Sequence, residues 1–160
     1  MNSETHTNED GVETQLIEEL LETLEDGRLG FIDAAEKLAA AGRPQWADTF
    51  GALAAQRAAM ANELQQAARD HGVNAHDDRR GSILAGLHRG WMTVKDATAG
   101  TSPAGVLDVA IGGEERAIDE FAFALDTTGV PAELLALIGR ERAAIVDTQT
   151  ALKTLRASIT

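Results

Sequence analysis

Proline and glycine divide this chain of 160 residues into four long stretches with helical character. Gly42 and Pro44 separate the first two stretches, and Gly129 and Pro131 separate the last two. Between these breakers the apolar residues recur three and four positions apart, the period of one helix face. Glycine commonly follows the end of a helix and proline is tolerated in its first turn, so each pair marks one end and one beginning. The predicted helices cover residues 12–41, 44–71, 103–125 and 131–159.

The lengths of the connections predict how these helices are arranged. The first and third connections are short, so each should join two neighbouring antiparallel helices. The second connection is long, and its residues 82–99 have the spacing of a further amphipathic helix. At 1.5 Å per residue the long helices reach roughly 30–45 Å, a distance that such a connection can follow. The predicted fold is all-α: a ferritin-like four-helix bundle, two antiparallel helical hairpins joined by a long crossover containing a fifth, shorter helix.

The length and composition of the chain predict one domain that folds without disulfide cross-links. We expect residues 1–10 to be a disordered acidic tail and residues 11–160 to be a single ferritin-like helical bundle domain. The chain contains no cysteine, which excludes disulfides, thiolate catalysis and cysteine-ligated zinc. Its start has neither the basic nor the apolar segment of a signal peptide, and no run of 18 apolar residues occurs. We therefore expect a cytoplasmic protein with no membrane partner.

Acidic residues are concentrated near the start of the chain. Residues 1–36 carry eleven acidic side chains and one basic one, so they supply −10 of the net charge of −12. Such a field repels nucleic acid, so we expect no nucleic-acid partner. It would attract a basic protein partner, and a homo-oligomer is equally compatible with the sequence. The alternative interpretation is an acidic surface that is only solvated.

Three charged residues interrupt the apolar stripes near the middle of their helices: Arg57, Glu114 and Glu141. Burying one unpaired ion costs several kcal/mol, so these residues should find one another or turn toward solvent. We predict a structural ionic cluster in which Arg57 bridges Glu114 and Glu141. The alternative is a shifted helical register that places one or more of the three outside the core.

A metal site is the competing interpretation of the same positions. Di-iron proteins with a ferritin-like fold carry glutamates and two Glu-x-x-His pairs at mid-bundle. No histidine of this chain follows a glutamate by three positions, so the sequence does not favour a full di-iron site or any other cofactor. An all-carboxylate site for iron or manganese remains the alternative, and it would have to accommodate Arg57. Its candidate ligands are Glu36, Glu63, Glu114 and Glu141.

Three segments resemble an uncharacterised bacterial family, a domain of unknown function described as ferritin-like four-helix-bundle proteins. They are ETLEDGRLGFIDAAEKL (22–38), LHRGWMTVK (87–95) and GEERAIDEFAFAL (113–125), and they include the DGxxGF and LHRGW motifs. The resemblance extends over about residues 14–156 and implies the bundle fold without implying a role. Phe31 and Phe121 stand where relatives often carry tyrosine, and Gln149 stands where a histidine is common. These departures weaken a metal interpretation further.

The glycines within these motifs suggest a close helix contact. Glycine inside a helix costs about 1 kcal/mol relative to alanine, so glycines in two helices favour a tight approach of the two backbones. We expect the crossover helix to pack on the first helix, with Trp91 near Phe31, and His88 and Arg89 hydrogen-bonded to Asp26 or Asp33. A ligand site at His88 and Arg89 is the alternative. The residues predicted at this contact are Gly27, Gly30, Phe31, His88, Arg89 and Trp91.

Two functions from different classes are compatible with these patterns. The first is a non-enzymatic bacterial helical-bundle protein, a stress-associated scaffold or a protein-interaction module. The second is an iron- or manganese-binding protein with a carboxylate-rich site and oxidase or storage activity. Small-molecule binding between the crossover and the bundle is a third, weaker possibility. Neither a Walker loop nor a Rossmann glycine motif is present, so the sequence favours no nucleotide-dependent enzyme.

Overall fold

The computed structural model describes residues 3–75 and 101–159, with side chains from residue 11 onward. These ranges contain four helices: α1 (Ser3–Ala40), α2 (Pro44–Asp70), α3 (Pro103–Leu125) and α4 (Ala132–Ala157). Helices α1 and α2 form one hairpin and α3 and α4 form the other. The hairpins contact each other through α1 against α3 and α2 against α4. The prediction of an all-α fold with four helices in two hairpins is therefore confirmed.

The crossover predictions concern residues that the structure does not describe. The predicted fifth helix lies outside the described ranges, as do His88, Arg89 and Trp91. At the other end of the chain, α1 begins at Ser3 and not near residue 12 as predicted. The helix passes through Asp10 and Gly11, because one glycine in a helix costs only about 1 kcal/mol relative to alanine.

Glycines in the left-handed backbone region follow the first two helices and occupy the connection between the last two. Gly42 and Gly72 lie just beyond α1 and α2, with φ angles of 75° and 77°. Gly129, with a φ of 89°, lies between the end of α3 at Leu125 and the start of α4. After α1, the amide of Arg43 donates to the carbonyl of Leu38 at 2.9 Å, which satisfies a carbonyl that the helix leaves open. The predicted breaker Gly42 therefore acts as a helix end for a stereochemical reason: glycine adopts positive φ without a Cβ clash. The helix α3 ends at Leu125, before the predicted breaker Gly129.

The helices α2 and α3 both begin with a proline in the first turn. Pro44 and Pro103 occupy the first turns of these helices, where a missing amide hydrogen has no cost. Ser102 caps α3, since its hydroxyl accepts a hydrogen bond from the amide of Gly105 at 3.0 Å. At α4, Pro131 is the residue that precedes the helix, one position earlier than its predicted role.

Two apolar clusters fill the bundle, one toward each end. The large cluster combines the early part of α1, the late part of α2, the end of α3 and the first half of α4. The small cluster combines the end of α1 with the beginnings of α2 and α3 and the end of α4. The small cluster contains Phe31, Ala34, Leu38, Phe50, Ala54, Val106, Leu107, Ala110 and Leu152. Along α1, α2 and α3 the residues between the clusters include Gly27, Arg57 and Glu114, which therefore form a polar layer across the core.

None of the helices in the described ranges combines the length and hydropathy that a membrane span requires.

Two glycines of similar exposure should respond oppositely to alanine. Gly42→Ala should lower the free energy of unfolding by about 1–2 kcal/mol, because alanine resists positive φ. Gly51→Ala, within α2, should raise it by about 0.5–1 kcal/mol, because its Cβ would meet open space and glycine weakens a helix interior. Urea denaturation monitored by circular dichroism measures both. Shifts of the same sign would contradict this assignment of the α1–α2 turn.

Candidate functional site

The polar layer is centred on a buried ion pair between α2 and α3. Arg57 and Glu114 are each only 1% exposed, and the guanidinium Nη2 of Arg57 donates to Oε2 of Glu114. Nη1 of Arg57 also lies 3.4 Å from the sulfur of Met60, and the guanidinium carbon lies 5.4 Å from the centre of the Phe31 ring. A buried guanidinium needs an anion and polarisable surroundings to offset its lost hydration. These contacts supply both.

Gly27 makes room for this arginine on the facing side of α1. A Cβ at residue 27 would lie 3.5 Å from Cγ, Cδ and Nε of Arg57, so the glycine backbone borders the arginine stem. The predicted contact of Gly27 with the crossover helix lies outside the described residues, and within them its neighbour is Arg57. Gly30 is buried one turn later. Phe31 packs edge-on against Phe50, with ring centres 5.6 Å apart, while its predicted neighbour Trp91 lies outside the described ranges.

Glu141 is buried without a hydrogen-bond partner among the described residues. It is 3% exposed, stands on α4 between Ile138 and Ile145 of the large cluster, and neither carboxyl oxygen has a partner. The prediction that Arg57 bridges both acids is therefore wrong in one part: Arg57 hydrogen-bonds Glu114 and not Glu141. One guanidinium aligned with the carboxylate of α3 does not also reach the oxygens on α4.

Burial shifts the titration of both acids upward. It raises the pKa of Glu114 to about 7, against the opposing effect of Arg57. Burial also raises the pKa of Glu141 to about 8; the nearby Glu63 raises it further, whereas Arg140 and Arg57 lower it. The two acids share one buried guanidinium, and only Glu114 contacts it. Glu114 therefore has the lower pKa and is the anion of the pair above about pH 7, whereas Glu141 retains its proton near neutral pH.

A small cavity adjoins the ion pair on the side of α1 and α3. Its volume is about 30 Å³, roughly the share of one liquid water molecule. Gly27, Arg57 and Glu114 border it on the inside. It opens toward a shallow groove of about 220 Å³ lined by Glu19, Glu22, Thr23, Asp26, Arg116 and Glu120. The cavity is too small for an organic ligand, and the groove presents an acidic surface.

The structure does not bring the predicted metal ligands together. Glu36 is exposed on α1, and Glu63 is exposed on α2, where it pairs with Arg140. The described residues contain no group of three or more histidine, aspartate or glutamate side chains suited to hold a metal ion. The four-carboxylate alternative is therefore wrong for this arrangement. The reason is geometric, because two of the four acids face solvent and a cation occupies the centre.

Several ion pairs were not foreseen in the sequence. Asp33, a predicted partner for the crossover, pairs with Lys37 at 2.7 Å along α1. Between helices, His71 at the end of α2 approaches Glu133 of α4 at 2.8 Å, and Arg140 of α4 pairs with Glu63 of α2. Spacing along one helix can reveal pairs such as Asp33 and Lys37. Pairs between α2 and α4 join residues more than sixty positions apart and leave no such signal.

The two buried acids should respond differently to conversion into amides. At about pH 7.5, Glu114→Gln should lower the free energy of unfolding by about 3–5 kcal/mol, because Arg57 loses its anion. Glu141→Gln replaces a protonated acid by a neutral group, so it should be tolerated at pH 5 and should stabilise the fold relative to wild type at pH 9. The pKa of Glu141 rises from 4.5 to about 8 on folding, so wild-type stability falls as pH increases between these values.

Urea denaturation of both variants and wild type at pH 5, 7.5 and 9 measures these differences. An equal loss of stability in the two variants at pH 7.5 would mean that Glu141 is also an ionised partner of Arg57.

Comparisons with known proteins place the chain in a family. Residues 12–127 match the model of a domain of unknown function, DUF2383, and this range includes Gly27, Arg57 and Glu114 but not Glu141. Neither the curated proteins nor the solved structures contain a significant match. The match covers well over half of the 160 residues. The chain is therefore a member of the DUF2383 family of domains of unknown function.

Proposed function

We propose that this protein is a non-enzymatic helical-bundle scaffold with ferritin-like topology that binds other proteins through its acidic surface. The observation that carries the proposal is the buried pair of Arg57 and Glu114 in the middle of the bundle. Metal-binding bundles of ferritin-like topology place their ligands at that level. In this chain the same level holds a cation and its anion.

The ion pair favours a structural role for the core. Guanidinium remains protonated at all physiological pH values, so a metal ion near Glu114 would face a fixed positive charge. Recruiting Glu114 as a ligand would also leave Arg57 buried without its anion, at a cost of about 3–5 kcal/mol. These two penalties act against iron or manganese binding here.

The space beside the buried ion pair also disfavours turnover of an organic substrate at this site. Pockets for small molecules typically enclose about 300–1,000 Å³ and bury most of the ligand. The cavity beside Arg57 has about 30 Å³, and the adjoining groove of about 220 Å³ is shallow and polar. A shallow polar groove suits recognition of another protein better than it suits a buried active site.

Charge indicates which partner suits that surface. The groove between α1 and α3 carries Glu19 and Glu120 on facing helices, with one basic residue, Arg116. The chain as a whole has a net charge of −12. Such a field steers a basic partner and accelerates its association, and salt weakens the effect. We therefore propose a basic protein segment as the partner, with a stress-associated bacterial role as the setting.

Metal content tests the non-enzymatic part of the proposal. The protein would be purified without chelators from cells supplied with iron and manganese, and elemental analysis would be combined with native mass on the same sample. We expect no stoichiometric metal in wild type, in Glu114→Gln or in the exposed control Glu115→Gln. Stoichiometric iron or manganese that disappears only in Glu114→Gln would overturn the proposal in favour of the metal-binding alternative.

Binding of a basic helical peptide tests the partner. Fluorescence anisotropy would compare wild type, a groove variant (Glu19→Gln with Glu120→Gln) and a control with the same charge change elsewhere (Asp48→Asn with Asp147→Asn). We expect the groove variant to bind about tenfold or more weakly, because it loses two charges at the contact, and the control to change little. Equal weakening in both would show that net charge alone attracts the peptide, which would contradict a defined binding surface.

A further inference from the structure

The interface between α2 and α4 differs in character from the other helix contacts. It belongs to the contact between the two hairpins, and it is the smallest of the four interfaces between adjacent helices. Charged groups cross it at the end of α2, where His71 meets Glu133, and nearer the middle, where Glu63 meets Arg140. Glu141 lies buried near that middle level. We call these five residues the α2–α4 seam.

The hydrogen bonds of His71 identify its protonation state in the closed seam. Its Nδ1 lies 2.8 Å from the carbonyl oxygen of Ala67, and its Nε2 lies 2.8 Å from a carboxylate oxygen of Glu133. Both neighbouring atoms are acceptors. A neutral imidazole has a single N–H, whereas the imidazolium has two, so only the charged form donates to both. The closed geometry is that of protonated His71.

Glu141 requires a proton for a different reason. Its carboxyl group is buried, and neither oxygen accepts a hydrogen bond from a described residue. An ionised carboxylate in that position would lack both water and donors, which is costly in a region of low polarity. The neutral acid is the form that this environment tolerates.

The surroundings of Glu141 and His71 raise the pKa of both groups. Around Glu141, α2 presents Arg57 and Glu63, and α4 itself presents Arg140. Glu114 of α3 is engaged with Arg57, and the buried acid of α1, Glu25, is held by Arg28. Around His71, the carbonyl of Ala67, then Glu133 and then Asp70 raise the pKa of the imidazole. Each group thus binds its proton more tightly in the closed seam than in an exposed one.

We propose that the α2–α4 seam is a proton-dependent contact between the two hairpins, closed while His71 and Glu141 both hold a proton and loosened once they lose it. The seam contains one basic group, His71, and one acidic group, Glu141. Both are protonated when the seam is closed. Loss of the proton from His71 leaves one N–H for two acceptors, Ala67 and Glu133, and removes the charge attraction to Glu133 across the seam. Loss of the proton from Glu141 places an unpartnered anion between α2 and α4.

Linkage gives the pH range of this contact. For both groups the folded pKa exceeds the unfolded one, so their stabilising effect is complete below the unfolded values, 6.5 for His71 and 4.5 for Glu141. The stabilising effect decreases with rising pH and is lost above the pKa of each group in the folded state. For Glu141 this folded-state pKa is about 8. The seam should therefore be closed in weak acid and loosest in weak alkali.

Hydrogen exchange measures seam opening in the intact protein. Protection factors, which correct for the intrinsic effect of pH on exchange, would be compared at pH 5.5 and 9 for amides of α2 and α4 at the seam. We expect these protection factors to fall at pH 9. The fall should be about tenfold for each unit by which the pKa of a group in the folded state exceeds its pKa in the unfolded state. Amides at the α1–α2 contact should fall less. Unchanged protection at the seam would overturn the proposal.

Three variants separate the two groups from a general effect of pH. Glu133→Gln should weaken the contribution of His71 to seam protection. Glu141→Gln should remove the part of the loss of protection that occurs at alkaline pH. The charge-matched control Glu115→Gln, at an exposed position, should behave as wild type. In folded wild type, the imidazole signals of His71 should titrate above 6.5, and nearer 6.5 in Glu133→Gln. Titration of His71 at or below 6.5 in wild type, or an undiminished loss of protection in Glu141→Gln, would contradict the proposal.

Discussion

The buried guanidinium of Arg57 is the constraint to which the middle of this bundle is adapted. A cation that is 1% exposed has lost its hydration, and each facing helix contributes something that offsets the loss. Helix α3 provides the carboxylate of Glu114, α1 provides the bare backbone of Gly27 and the ring of Phe31, and α2 provides the sulfur of Met60. Removing Glu114 would leave the guanidinium of Arg57 as an unbalanced buried charge.

This layer also divides the apolar core and limits what the core can do. The large cluster lies toward the beginning of α1 and the small cluster lies toward its end, so two separate apolar regions hold the bundle together. Buried ion pairs are poor sources of net stability, but they specify which residues must face each other. In this bundle the pair of Arg57 and Glu114 joins α2 and α3.

Glu141 connects the core to the contact between the hairpins. It lies on α4 between Ile138 and Ile145 of the large cluster, and Glu63, Arg140 and Arg57 all influence its pKa. A single guanidinium cannot neutralise two buried acids, so the second acid is neutral through its proton. Because the proton is exchangeable, this part of the core depends on pH in a way that an apolar residue would not.

The sequence by itself determined the helices and their pairing, because glycine and proline act locally and short connections leave only antiparallel hairpins. It also identified Arg57, Glu114 and Glu141 as charged residues on otherwise apolar faces. Only the tertiary structure decided that Arg57 hydrogen-bonds Glu114 and not Glu141, that Gly27 borders Arg57, and that His71 meets Glu133. These contacts depend on the rotation and axial offset of neighbouring helices. Helical periodicity predicts which face of each helix is buried, but it does not predict the axial position of one helix relative to its neighbour.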